Sequence, residues 1–119
     1  MDILVVDDVR TDREIVGRVV TGAGHRVIYA ENGVEAIAKA KQLQPGLIFM
    51  DVVMPEKTGF EATRELKRDP DTSAIPVVLV TTKGTDSDRF WGKRQGADDH
   101  VAKPFTADML IQIIRRYTR

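Results

Sequence analysis

The chain has 119 residues, 42% of them hydrophobic and 30% charged, which is the composition of one globular domain with its own core rather than of a disordered segment. Its 18 basic residues balance 18 acidic ones and it has no cysteine. Nothing in that balance favours a nucleic-acid or anionic-membrane partner, and disulfides, thiol catalysis and thiolate metal sites are excluded. No apolar run approaches the roughly 20 residues that cross a bilayer, and the N-terminus has an acidic pair in place of a signal peptide's basic region. The expectation is a cytoplasmic protein without membrane insertion.

In chain order, Ile3-Leu4-Val5-Val6 reads as a first strand. Ile15, Val16, Val19 and Val20 then form one apolar helical face, which Gly22 and Gly24 can end. Val27-Ile28-Tyr29 is a second strand, and Asn32-Gly33 starts a helix carrying Ala36, Ile37, Ala40 and Leu43 before Pro45-Gly46. Leu47-Ile48-Phe49-Met50 is a third strand, followed by a helix that Thr58 can cap and whose weaker stripe is Phe60, Ala62, Thr63 and Leu66. Val77-Val78-Leu79-Val80 and His100-Val101-Ala102 are the last two strands. The adjacent aromatics Phe90 and Trp91 lie on the helix between them, where one is expected in the core and the other on a partner surface. Met109, Leu110, Ile113 and Ile114 mark the final helix.

Three of the strands are almost wholly apolar, as in a parallel sheet covered on both faces. Five β/α pairs with right-handed crossovers predict a doubly wound α/β fold, (βα)5. No repeat, low-complexity tract or linker interrupts the pattern. The expectation is a single domain over 1–119 with no output domain, and a monomer because no extended apolar stripe is left beyond the core.

Sites in open α/β sheets form outside the carboxyl ends of strands. Asp7 and Asp8 follow the first strand, Asp51 the third, Thr81 and Thr82 the fourth, and Lys103-Pro104 the fifth. Each has a plainer reading by itself: the acids as helix caps, Lys103 as a surface lysine before a turn, the threonines as a strand end. Their convergence at one rim is the signal. Three neighbouring carboxylates repel one another unless a cation lies between them, and oxygen ligands suit Mg²⁺. A carboxylate can serve as a nucleophile forming an acyl phosphate, whose oxygens a metal, a lysine and hydroxyl or amide donors neutralise.

These motifs, Val5-Val6-Asp7-Asp8, Met50-Asp51-Val52-Val53-Met54-Pro55 with Gly59, Val80-Thr81-Thr82 and Lys103-Pro104-Phe105, resemble the receiver domains of two-component response regulators in their single-domain, CheY-like form. The resemblance runs from Met1 to the last helix. Ser73 to Lys83 and Trp91-Gly92-Lys93-Arg94-Gln95-Gly96-Ala97 further resemble PilH-type receivers of type IV pilus and twitching-motility systems. The resemblance implies strand order 2-1-3-4-5 and phosphoryl transfer from a histidine kinase or phosphotransfer protein onto Asp51. It implies Mg²⁺ held by Asp8 and Asp51 directly, by Asp7 through water and by the Val53 carbonyl. Lys103 would pair with phosphoryl oxygens across a cis Lys103-Pro104 peptide, with the Thr81 hydroxyl and Thr82 amide as further donors. Thr81 and His100, the latter where the family usually has Tyr or Phe, would form the switch that changes the face of the fourth helix, fifth strand and fifth helix toward an unknown protein target. Val53 and Lys83 border the site, where side chains tune acyl-phosphate lifetime.

Other chemistries fit less well. An aspartate-nucleophile phosphatase of the haloacid dehalogenase type wants an acid two residues after Asp51, where Val53 stands, so the expectation is a signalling acceptor rather than an enzyme acting on external substrates. A flavodoxin-like FMN carrier needs a phosphate loop where Asp7-Asp8-Val9-Arg10 would repel phosphate. His25 and His100 share no ligand spacing, and a lone histidine reads as structural or solvated.

Overall fold

The computed structural model describes residues 1–82 and 86–118. Five strands, β1 (Asp2–Val6), β2 (Arg26–Ala30), β3 (Leu47–Met50), β4 (Val77–Thr81) and β5 (Asp99–Ala102), alternate with five helices, α1 (Arg10–Gly22), α2 (Gly33–Leu43), α3 (Gly59–Arg68), α4 (Asp86–Arg94) and α5 (Ala107–Tyr117). The strands pair in parallel in the order β2-β1-β3-β4-β5, as the motifs implied.

The apolar strands owe their pattern to burial on both faces: every residue of β3 and β4 is buried. Side chains alternate between two cores. Leu4, Val6, Ile48, Met50 and Leu79 pack with Ala36 and Ala40 of α2 and Ala62 and Leu66 of α3. Ile3, Val5, Phe49, Val78 and Val80 pack with Val16 and Val20 of α1 and Leu110, Ile113 and Ile114 of α5. Burial of each large aliphatic side chain stabilises the fold by roughly 1.5–3 kcal/mol, and this packing fixes where the strands end.

The helix starts follow from local chemistry. Asn32 accepts a hydrogen bond from the Glu35 N–H, and Thr58 forms a capping box with Glu61, as expected for the third helix. Thr106 caps α5 by accepting from the Met109 N–H. The apolar faces are narrower than the spacing predicted: Ile15, Leu43 and Met109 sit at their edges and are exposed, while Val16, Ala40 and Leu110 are buried.

One expectation is corrected. Phe90 and Trp91 are both exposed, at 63% and 51%, so neither belongs to the core. The reason lies in how α4 packs. Gly92 is its buried residue, and a Cβ there would lie 2.6 Å from Leu79 Cδ1. A helix that approaches the sheet through a glycine turns the two preceding positions, each about 100° further round, away from the core.

A second glycine governs the rim. The Gly59 N–H donates to the Val52 carbonyl at 2.9 Å, and a Cβ on Gly59 would lie 2.1 Å from the Asp51 carbonyl oxygen. The other close atoms, Val52 Cα at 2.8 Å and the Asp51 carbonyl carbon at 2.9 Å, are backbone too, so no side chain can yield. Gly59→Ala should destabilise the fold by about 2 kcal/mol, read as a lower urea midpoint at unchanged slope. An unchanged midpoint would mean that the α3 N-terminus shifts without cost.

Candidate functional site

The register of the sheet brings the predicted residues together. Val6 pairs with both Ala30 and Met50, so β1 and β3 end side by side, and the Asp51 N–H donates to the Val6 carbonyl at 2.9 Å. Asp7 is tied to the next strand through its N–H to the Ala30 carbonyl at 3.1 Å. Its carboxylate accepts from the Val9 N–H at 2.9 Å, and its carbonyl accepts from Arg13 Nη1 at 2.8 Å. The turn into α1 is thereby pinned, and Asp8 is left exposed beside it.

Across the rim, Thr81 pairs with Ala102 in register, and the Lys103 N–H donates to the Thr81 carbonyl at 2.8 Å. Thr81 is fully buried, whereas Thr82 is exposed. The Lys103-Pro104 peptide is cis, as the resemblance implied. The Lys103 ammonium lies 3.0 Å from Asp7 Oδ2, 3.2 Å from Asp12 Oδ2 and 3.8 Å from Asp51 Oδ1.

Asp7, Asp8 and Asp51 each place a carboxylate oxygen within 4.8 Å of the others. Asp7 and Asp51 are buried, so their repulsion is poorly screened. Burial, then the charge of Asp7, pushes the Asp51 carboxyl up to about 7, with Asp8 adding to the rise and Lys103 and a backbone hydrogen bond at Val52 opposing it. Burial works against the Lys103 ammonium, but its bond to Asp7, the charges of Asp51 and Asp7, and its bond to Asp12 hold its pKa above the ordinary value. Among the described residues Lys103 is the one lysine at the cluster, which leaves it short of positive charge. The donor set is all oxygen, suits a hard divalent cation, and fits Mg²⁺.

Val53, two residues after Asp51 in the β3–α3 connection, is 53% exposed. Lys83 lies outside the described residues. His100 is on β5 opposite Leu79, one layer below the rim, and neither of its ring nitrogens has a hydrogen-bond partner among the described residues. Asp12 is the rim residue that sequence reasoning missed. It stands one helical turn after Asp8 in the first turn of α1, and that spacing was the available signal. Beside Lys103 the rim opens into a cleft of about 350 Å³ walled by Asp12, Ile15, Thr82, Pro104 and Phe105.

Residues 3–115 match the model of the response regulator receiver domain. The chain belongs to this family. The receiver is 46% identical to PilH of Pseudomonas aeruginosa over 112 residues, which cover 94% of this chain and 93% of PilH. Longer regulatory proteins match as well, and the receiver spans about half of their length. Among solved structures it is similar to the chemotaxis protein CheY4 of Vibrio cholerae, at 32% identity and a TM-score of 0.91 over 98% of this chain and 97% of that one. It is also similar to the receiver domain of the sensor histidine kinase PA1611 of Pseudomonas aeruginosa, at 28% identity and a TM-score of 0.90 over 98% and 95% of the two chains. That domain was solved with magnesium coordinated in its active-site cleft. No helix among the described residues is long and apolar enough to cross a membrane.

The raised Asp51 carboxyl has a consequence for stability. It ionises near 3.8 in an unfolded chain and at about 7 in the fold, so its contribution to stability is present at low pH and is lost as pH rises through that interval. Asp51→Asn should therefore stabilise the metal-free receiver at about pH 8, on the order of 2 kcal/mol after allowance for screening at the open rim. The gain should fade towards pH 4, as read by urea titration at both pH values. Equal stabilities of the two proteins at the higher pH would show that the cluster carries no electrostatic strain.

Proposed function

We propose that this receiver is a phospho-acceptor switch: Asp51 accepts a phosphoryl group from a histidine kinase or phosphotransfer protein, and the acquired charge changes a protein-binding face. The observation that carries this reading is the convergence of Asp7, Asp8 and Asp51 with Lys103 at one end of the sheet. An ionised Asp51 oxygen attacks the phosphorus of the donor, a P–O bond forms, and the bond to the donor's leaving atom breaks with its electron pair. Asp8 and Asp51 would hold Mg²⁺ with the Val53 carbonyl, and Asp7 would act through water. The metal supplies charge neutralisation of the carboxylates and of the transferred oxygens.

The remaining roles belong to the chain. Lys103 lies within 3.8 Å of Asp51 and is positioned to neutralise phosphoryl oxygens once they are attached there. The Thr81 hydroxyl and Thr82 amide are further donors at the end of β4. Thr81 and His100 lie on adjacent strands, which suits a linked rearrangement transmitted to α4, β5 and α5. Similarity to PilH and to a chemotaxis protein supports a place in motility or chemotaxis-type signalling, with a protein rather than a nucleic acid as downstream partner. The same reading makes the receiver a cytoplasmic monomer and, apart from its own phosphorylation and dephosphorylation, no enzyme.

Acetyl phosphate with Mg²⁺ should add one phosphoryl mass to the intact chain, and Asp51→Asn should abolish the adduct. Label on the Asn variant at the wild-type level would overturn the acceptor assignment. Lys103→Ala should retain Mg²⁺ binding but lose the accompanying change in fluorescence of Trp91, the single tryptophan. A wild-type fluorescence response in that variant would remove Lys103 from the switch.

A further inference from the structure

Between α4 and β5 lies a cleft of about 300 Å³, separate from the acidic rim and lined by Leu79, Arg89, Lys93, Asp98, Asp99 and His100. Its two carboxylates are already committed. Asp98 accepts from Lys67 Nζ and from the Val77 N–H, both at 2.8 Å. Asp99 pairs with Arg116 and also accepts from the His100 N–H at 2.9 Å and the Tyr117 hydroxyl at 3.3 Å. Arg89 and Lys93, one turn apart on α4, have no carboxylate partner among the described residues. Both nitrogens of the His100 ring are buried and have no hydrogen-bond partner among the described residues. A buried N–H left unpaired is costly, and two cations facing it give the cleft a surplus of positive charge.

We infer that this cleft is a binding site for a small carboxylate ligand, held by Arg89, Lys93 and the imidazole of His100. The Arg89 guanidinium presents a planar fork that matches a carboxylate, and Lys93 supplies a second charge. A turn of the His100 ring into the cleft it already lines gives its N–H the acceptor it lacks. The volume admits a compact molecule and not a folded segment. The paired acids Asp98 and Asp99 on the wall favour a singly charged group over a dianion such as phosphate.

The charges around His100 are Asp88 and Arg89 on α4 and Asp99 on β5, which act on its ring, with Lys93 of α4 and Asp98, just before β5, lining the same cleft; Arg116 and Tyr117 of α5 are engaged by Asp99. The neighbouring β4 contributes Leu79, which carries no charge. Burial, then the Arg89 charge, holds the ring's pKa below its usual value against Asp88 and Asp99. An anion between Arg89 and the ring reverses that balance.

The chain has two histidines, and His25 sits beside the N-terminal amine at 3.3 Å, so it serves as an internal control. The experiment follows both imidazoles by NMR in the metal-free, unphosphorylated chain, titrating sodium acetate and, separately, sodium phosphate against sodium chloride of equal ionic strength. The expected result is a saturable displacement of the His100 ring signals by acetate, with an upward shift of its titration midpoint, while His25 follows ionic strength alone. Arg89→Gln combined with Lys93→Gln should weaken the acetate response about tenfold or more. No saturation, parallel movement of both rings, tighter binding of phosphate than of acetate, or an unchanged response in the double variant would each overturn the site. The readout needs neither Mg²⁺ nor Asp51 chemistry, so it stands or falls apart from the phospho-acceptor reading.

Discussion

Mutual repulsion of Asp7, Asp8 and Asp51 is the constraint around which this molecule is arranged. Carboxylates free to move would separate, but these three cannot, because two of them leave the ends of strands buried on both faces. The energy to hold them comes from the apolar packing of β1 and β3 on the two helix layers, which lies far from the charges themselves. Lys103 offsets part of the repulsion, and the rest appears as the raised pKa of Asp51. A rim strained in this way binds a cation more readily than a relaxed one, since the ion relieves a cost the fold has already imposed.

Backbone hydrogen bonds give the site its precision. Asp51 hangs from Val6, Asp7 from Ala30, and Lys103 from Thr81, so each of these rim side chains is one residue beyond a paired strand position. The one loop that must come close, from Asp51 to α3, is held by Gly59, where only a missing Cβ permits the approach. Groups built on strand ends in this manner need little reordering when a substrate arrives, which is the condition for electrostatic stabilisation of a transferring phosphoryl group.

The strands and the rim were legible in the sequence because one physical rule covers both: a run buried on two faces is apolar throughout, and its first polar residue marks the carboxyl end. Asp7 and Asp51 fall at that boundary, while Lys103 follows the half-buried edge strand β5, whose Asp99 and His100 are polar, and was placed by its motif instead. Asp12 was hidden because it reaches the site from the first turn of a helix, where an acid has an ordinary role at the positive end of the dipole. The packing of α4 was hidden for a different reason. Its inward contact is a glycine, which carries no hydropathy signal, so the two large aromatics beside it drew the assignment to themselves. That the His100 ring finds no hydrogen-bond partner among the described residues could not be read either, since it depends on how β5 and α4 pack.

Asp12 changes how Lys103 should be regarded. The ammonium is shared among three anions, and its shortest bond is to buried Asp7, while Asp12 is the most exposed of the three. A phosphoryl group on Asp51 would add a stronger anion within the same reach, and the weakest competitor, the solvated Asp12, would be released first. Asp12 sits on α1 and Lys103 on the connection between β5 and α5. Exchange of this one partner would therefore loosen α1 from the lysine-bearing loop while tightening that loop onto Asp51. Charge arriving at a single oxygen can in this way be converted into a change of contact between elements, through a lysine that has fewer positive charges to offer than it has neighbours asking for them.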